Sequence, residues 1–316
     1  MMRLEPNWQR IPVEIKEDIV KYLNYKSRFR TSLCSKSDYH LIQGCPIFLE
    51  QVEVRENVLH IKDQYGSLKI KEGIFEKFFG LFKQKRSTVK SMILTLDAAQ
   101  GSEMAQFFAG SKIRTKSVYF DFNGVSDQDS LRIFKIFDSK TISFRQTLSQ
   151  DLVEELVKTE TWKKAKQVFC YGRQGLPMDT VLHLESLRFF TNYLSSEDAQ
   201  KIIDAYTTRK NLMPGFGFRI NYSSPQVGLT VAANSENSYH FPTTSPNLTF
   251  VVKLRKSAFG NQIIEGYACT DPSDCKKFST WTPEDHLQVN RRLLDQLPYL
   301  PPWGMYIRSM LFAADY

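Results

Sequence analysis

Leu184-Glu185-Ser186-Leu187-Arg188-Phe189-Phe190-Thr191-Asn192-Tyr193-Leu194 sets apolar side chains at its first, fourth, sixth and eleventh positions and an asparagine at its ninth. Leu187 and Phe189 flank the polar Arg188, which predicts a short strand with one apolar face. Behind it, Ala199, Ile202, Ile203 and Tyr206 fall on one helical face, so residues 197–209 read as a helix with Ser195 and Ser196 as candidate caps. The same unit recurs toward the N-terminus. Strand pairs stand at Leu94 and Leu96, Phe120 and Phe122, Ile142 and Phe144, and Val168 and Cys170, with helix-like stretches at 103–108, 128–137 and 150–161.

Successive strands start roughly 19–26 residues apart, and a period of one strand plus one helix resembles that of leucine-rich repeats. Residues 184–194 fit that family's pattern, L-x-x-L-x-L-x-x-N-x-L, in which the asparagine side chain satisfies backbone groups where the strand ends. The other four units lack the asparagine, so the repeat is degenerate. An ordinary α/β domain with irregular spacing stays open as the alternative.

Residues 213–316 read differently. Phe216, Phe218, Ile220 and Tyr222 alternate, as do Val227, Leu229 and Val231, and Leu248, Phe250, Val252 and Leu254. Such period-two patterning, broken by Ser223-Ser224-Pro225 and by the prolines at 242 and 246, argues antiparallel strands. A final helix begins at Thr282-Pro283-Glu284-Asp285 and ends before Pro298.

At the other end, residues 11–44 read as three short helices. Pro12 suits a first helical turn, and Glu14 lies where a helix N-terminus favours negative charge. Ile15, Ile19 and Leu23 then form a stripe beside Val20, and Asn24 closes the helix. Phe29 and Leu33 mark a second helix; Ser35 starts a third that Gly44 and Pro46 stop. A segment this short needs outside help, since chains under about 40 residues lean on metals, disulfides or a partner. The expected fold class is α/β: a three-helix module at 8–46, an irregular βα solenoid at 47–212, and a β-rich segment with a final helix at 213–316.

Composition narrows the function. No run of eighteen apolar residues spans a membrane, and the first residues lack a signal peptide's unbroken apolar stretch, so the expected location is cytoplasm or nucleus. Five cysteines, Cys34, Cys45, Cys170, Cys269 and Cys275, are expected to be reduced thiols, with Cys34 a buried structural cysteine and not a nucleophile. The net charge of +8 comes from short basic groups at Lys83–Lys90, Lys158–Lys166 and Lys253–Lys256, best read as solvated faces, so nucleic acid is not an expected partner. No phosphate-binding loop, H-E-x-x-H or G-x-S-x-G occurs, and the histidines (His40, His60, His183, His240, His286) are not paired at metal spacing. Asp121 and Asp127 read as structural: one in a strand, one capping a helix. Neither enzyme activity, cofactor nor metal is expected.

Trp8-Gln9-Arg10-Ile11-Pro12-Val13-Glu14-Ile15-Lys16, followed by Ile19, Val20, Leu23, Arg28, Cys34-Ser35-Lys36 and Ile42, resembles an F-box. The leading tryptophan and the Cys-Ser-Lys are similar to the large F-box families expanded in nematodes, which carry divergent repeat-like domains behind the box. Ile11 departs from the usual leucine, a volume-conserving change. The resemblance implies a substrate receptor of a Skp–cullin–F-box ubiquitin ligase. Ile11, Pro12, Ile15, Ile19 and Leu23 would meet a Skp-type adaptor, and through it a cullin, with Leu33 bracing behind. The target, a protein of unknown identity, would sit on the repeats, first of all at Thr95, Asp121, Ser143, Phe169 and Arg188. A repeat-type scaffold without a ubiquitin role, its N-terminal helices merely capping the solenoid, is the alternative.

Overall fold

The structure is a computed structural model that describes residues 8–82, 87–107, 112–225, 227–229, 237–257 and 260–271. The chain forms two compact units, residues 1–172 and 173–316.

In the first unit a single 3-10 turn, Trp8–Arg10, leads into α1 (Val13–Tyr22), α2 (Tyr25–Ser32) and α3 (Lys36–Gly44). A meander follows, β1 (Phe48–Arg55), β2 (Val58–Asp63) and β3 (Gly66–Ile70), then α4 (Ile74–Phe82). The alternating part runs β4 (Thr88–Asp97), α5 (Ala98–Phe107), β5 (Ile113–Asn123), α6 (Asp127–Ile136), β6 (Phe137–Phe144), α7 (Gln150–Lys158), α8 (Glu160–Lys164) and β7 (Gln167–Arg173). The strands lie in the order β7-β6-β5-β4-β1-β2-β3. From β1 through β4 to β7 each pair is parallel, whereas β1, β2 and β3 are antiparallel.

One sheet face is apolar, and its centre is Phe120, fully buried, whose ring meets those of Phe122, Phe134, Phe137 and Phe144 at 5.2–5.9 Å. Phe134 brings α6 onto the sheet, and such ring pairs add about 0.5–1.5 kcal/mol beyond the area they bury. Gly101 lets α5 come close: a Cβ there would stand 2.6 Å from a Val125 methyl.

Serine and threonine caps set the helix starts. Ser126, Ser149 and Thr159 each accept a hydrogen bond from the backbone N–H three residues on. Thr159 also closes α7, so the helix expected over 150–161 is broken in two there. Ser126, and not Asp127, is the cap of α6; the Asp127 carboxylate instead accepts from the Ser149 hydroxyl.

The β1–β2 turn carries Glu56 and Asn57 at φ of 50° and 59°, the left-handed pair that a two-residue hairpin requires. Asn57 tolerates it, and its side-chain oxygen accepts from Gln100 Nε2 at 2.7 Å.

The second unit contains a 3-10 turn (Met178–Thr180), β8 (Ser186–Thr191), α9 (Ser196–Thr207), β9 (Gly217–Tyr222), β10 (Ser238–Pro242), β11 (Thr249–Lys256) and β12 (Gln262–Cys269). Their order is β10-β11-β12-β9-β8. Ser195 caps α9, as its sequence suggests. Strand β9 pairs parallel with β8, so it completes one more βα unit; antiparallel pairing begins only with β12. The expected strand at 227–231 is absent where the structure describes it: Val227, Gly228 and Leu229 are irregular. Val231 and the helix expected from Thr282 lie outside the described residues.

Tyr206 of α9 stacks on Phe250 at 5.3 Å and tilts against Phe218, filling the core of this unit. Its hydroxyl donates to the Gly217 carbonyl at 3.1 Å. At Gly217 a Cβ would fall 2.1 Å from the Gly266 carbonyl oxygen, so only glycine allows that approach.

Asn192 does not serve its strand's backbone in the way the repeat pattern supposes: its side-chain oxygen accepts from Arg173 Nη1 at 2.9 Å. Cys34, Cys45 and Cys170 are free, but Cys269 is disulfide-bonded, which corrects the reading of five reduced thiols; Cys34 is exposed and not buried as expected, since it follows the last turn of α2.

Candidate functional site

The helical module has a small centre of its own. Val20 at full burial, Ile42 and Cys45 form it, and Leu23 and Leu41 pack against it. Everything else apolar on α1 points away: Ile15 is 51% exposed and Ile19 36%. Val13, Tyr22, Phe29, Leu33 and Tyr39 are exposed as well. Ile11 is half-buried, Pro12 exposed. Pro12 sits just before α1 as its N-cap, one position earlier than expected. Of the six residues marked as adaptor contacts, Leu23 is thus the one that packs inward.

Polar bonds fix the module in shape. Asn24 does not close α1; it caps α2, accepting from the Ser27 N–H at 2.7 Å. Ser35 caps α3 by accepting from the Asp38 N–H, and its hydroxyl donates to Asp38 at 2.7 Å. The other Asp38 oxygen accepts from the Trp8 indole N–H, also at 2.7 Å. These two bonds, the tryptophan's first, hold the Asp38 carboxyl below its ordinary value.

Further bonds hold the module to the sheet of the same unit. Arg28, buried in α2, donates from Nε to the Leu23 carbonyl and from Nη1 to the Pro46 carbonyl at 2.9 Å. Asp63 at the end of β2 accepts from the Tyr25 N–H at 2.6 Å and from the N–H groups of Tyr65 and Gly66.

The sheet face opposite the aromatic core carries four of the marked target positions. Pairing aligns Ile93, Tyr119, Ser143 and Phe169 in one row, and Thr95 with Asp121 in the next. Thr95, Asp121 and Ser143 are half-buried, but Phe169 is only 6% exposed. Arg145 reaches Asp121 at 2.7 Å.

Three residues of that face were not read from sequence: Tyr119, Arg145 and, across the pairing with Ile93, Glu53. Burial, then the Asp121 charge, pushes the Tyr119 phenol well up, and burial raises the Glu53 carboxyl. The period-two step from Asp121 to Tyr119 was the available signal; Glu53 lay in a meander that the repeat pattern does not reach. Arg188 belongs to the second unit, where it pairs with Arg219 across β8 and β9.

Among the described residues, no group of three or more His, Cys, Asp or Glu could hold a metal ion. No helix there is long and apolar enough to cross a membrane.

Comparison with known proteins agrees with this geometry. The F-box domain model matches residues 8–50, and the FTH domain model matches residues 103–226. An F-box protein of Caenorhabditis elegans, its role uncharacterised, is 26% identical over a match covering 27% of this chain and 28% of that relative. The chain therefore spans little more than a quarter of the curated relative's length. No solved structure matches. An F-box domain is present at the N-terminus; such a domain is a docking module and not a catalyst.

Proposed function

We propose that the chain is a substrate receptor of a Skp–cullin–F-box ubiquitin ligase, working in the cytoplasm or nucleus. Ile11, Pro12, Ile15 and Ile19 meet a Skp-type adaptor, and Leu23 supports them from within; Leu33, 71% exposed, does not brace the helices from behind as expected. The adaptor brings the cullin. The observation that carries this reading is the exposure of Ile15 and Ile19 on a helix whose opposite side, Val20, is sealed. Burying such aliphatics is worth roughly 1.5–3 kcal/mol each, enough for docking after association costs.

The successive βα units behave as a degenerate leucine-rich-repeat-like domain, and the face bearing Thr95, Asp121 and Ser143 grips the target protein; Phe169, at 6% exposure, is too buried to meet it. Arg188 would contribute from the second unit. No bond is made or broken by the receptor; it raises the concentration of a target lysine near the charged enzyme.

Co-purification with a Skp-type adaptor tests the reading. Wild-type protein should retain the adaptor, and Ile15→Asp with Ile19→Asp should release it while thermal stability stays put. Leu23 is a poor choice for that test because it packs on the module's own centre. Failure of wild-type protein to retain any adaptor would leave the scaffold reading in its place.

A further inference from the structure

Four strands of the first unit open on one four-residue pattern. Val89-Lys90-Ser91-Met92, Thr115-Lys116-Ser117-Val118, Ser139-Lys140-Thr141-Ile142 and Ala165-Lys166-Gln167-Val168 each set a lysine and a polar residue between two buried ones. Pairing then carries the lysines to one place. Lys90 and Lys116 lie between the partners Val89–Thr115 and Ser91–Ser117, and Lys116 and Lys140 between Thr115–Ser139 and Ser117–Thr141. Lys166 donates its backbone N–H to the Lys140 carbonyl at 2.9 Å. Four lysines thus stand in one row, one per strand, and all four are exposed. Neighbouring strands lie about 4.8 Å apart, so the row spans roughly 14 Å.

The fold uses only part of this charge. Beside the lysines, the Thr115 and Ser139 hydroxyls donate to the carbonyls of Ser117 and Thr141, which accounts for those two residues structurally. Lys90 meets Glu50 at 3.0 Å, and Lys166 has a contact of its own. Lys112, at the start of the same edge, donates to the Lys135 carbonyl at the end of α6, as basic residues near helix ends do. Arg114 stands opposite Asp138, an acid that offsets one cation of the strip. Lys116 and Lys140, at the centre of the row, make no side-chain hydrogen bond or ion pair among the described residues. Like charges on directly opposed strand positions are unfavourable, so this pair is at its most stable with an anion laid across it.

The chemistry of the row selects the anion. Its cations are ammonium groups and not the guanidinium forks that suit phosphate bidentately. Single-stranded nucleic acid is held by aromatic rings set among the cations, and the four patterns contain none. An extended polypeptide of four or five residues, at about 3.3 Å each, matches the length of the row.

We propose that the row Lys90, Lys116, Lys140 and Lys166 is a docking strip for an acidic run, several Asp or Glu in succession, on a partner protein. That this partner is a ubiquitylation target rests on the receptor reading given above; the affinity for acidic segments does not.

The purified full-length chain and two labelled peptides test it: a Gly-Ser peptide with six central glutamates, and the same peptide with six glutamines. At about 100 mM salt, fluorescence anisotropy should show the acidic peptide binding tenfold or more tightly than the neutral one. Lys116→Glu with Lys140→Glu should abolish that preference and leave the melting temperature level, because both side chains are exposed. Lys116→Gln with Lys140→Gln, a milder pair, should weaken binding severalfold and covers the case in which the double reversal fails to fold. Lys201→Glu with Lys210→Glu, exposed in the second unit, removes the same net charge and should keep the preference. Equal binding of the two peptides would overturn the proposal, as would full binding by both row variants or an equal loss in the second-unit control. A short DNA duplex binding more tightly than the acidic peptide would overturn it too, in favour of a nucleic-acid surface. Adaptor retention is scored separately on the same variants, so a lost ligase role and a lost acidic-segment site give different results.

Discussion

Asp38 joins three parts of the helical module through one carboxylate: the Trp8 indole, the Ser35 hydroxyl and the start of α3. Removing the cap in Ser35→Ala should cost about 1 kcal/mol, read as a lower urea midpoint. The pH dependence has a definite sign. Asp38 is depressed in the folded chain relative to about 3.9 when unfolded, so its contribution is complete above that value and drains away as pH falls through the folded one. Asp38→Asn should therefore flatten the acid limb of the melting-temperature profile, and an unchanged limb would show that the network does not carry it. None of this was legible in sequence beyond Ser35 as a helix start. Trp8 and Asp38 are thirty residues apart, and no periodicity links them.

At the scale of elements, α1 has two sides with opposite duties. Val20→Ala should open a cavity in the module's small centre and cost roughly 2 kcal/mol, whereas an exposed neighbour such as Ile19→Asp should move stability by less than about 0.5 kcal/mol. Chemical denaturation of the pair checks this; equal losses would mean that the helix is packed on both sides. The three helices were readable because their apolar residues keep a period near 3.6 and their caps are serine, asparagine or a proline boundary. Strands β4 to β8 were readable from alternation for the same reason. The β1–β2 hairpin escaped because its turn uses Glu56-Asn57 in place of a glycine. Strand β10 escaped because it is short and ends in Pro242, which reads as the start of a loop, and β12 because Gly266 interrupts its apolar run. The polar face of β9 and β12 was invisible: only pairing register brings Arg219 and Glu265 opposite each other.

Over the described residues, each of the first two basic groups has members that meet an acid where they stand. Lys90 pairs with Glu50 at 3.0 Å, Lys158 with Glu155 at 2.6 Å and Lys163 with Glu160 at 3.3 Å. These exposed pairs add at most about 1 kcal/mol each to stability, yet each cancels a cation locally. Retention on duplex DNA should accordingly be weak and should vanish between 50 and about 200 mM salt. Tight retention at the higher salt would return nucleic acid to the list of partners. Lys83, Lys85 and Arg86 lie outside the described residues.

Asp63 fastens the helical module to the β2–β3 hairpin, and Arg28 holds it to the chain entering β1, by bonds that neither exposed apolar residue shares. In a ligase, that fastening would be the aiming mechanism, since it fixes the heading from which cargo on the sheet of the first unit faces the enzyme beyond the adaptor. Loosening it by Asp63→Ala should spare adaptor capture and cargo capture alike, yet slow ubiquitin transfer in a reconstituted reaction, because a tethered lysine that swings through many directions spends little time in the one that reacts.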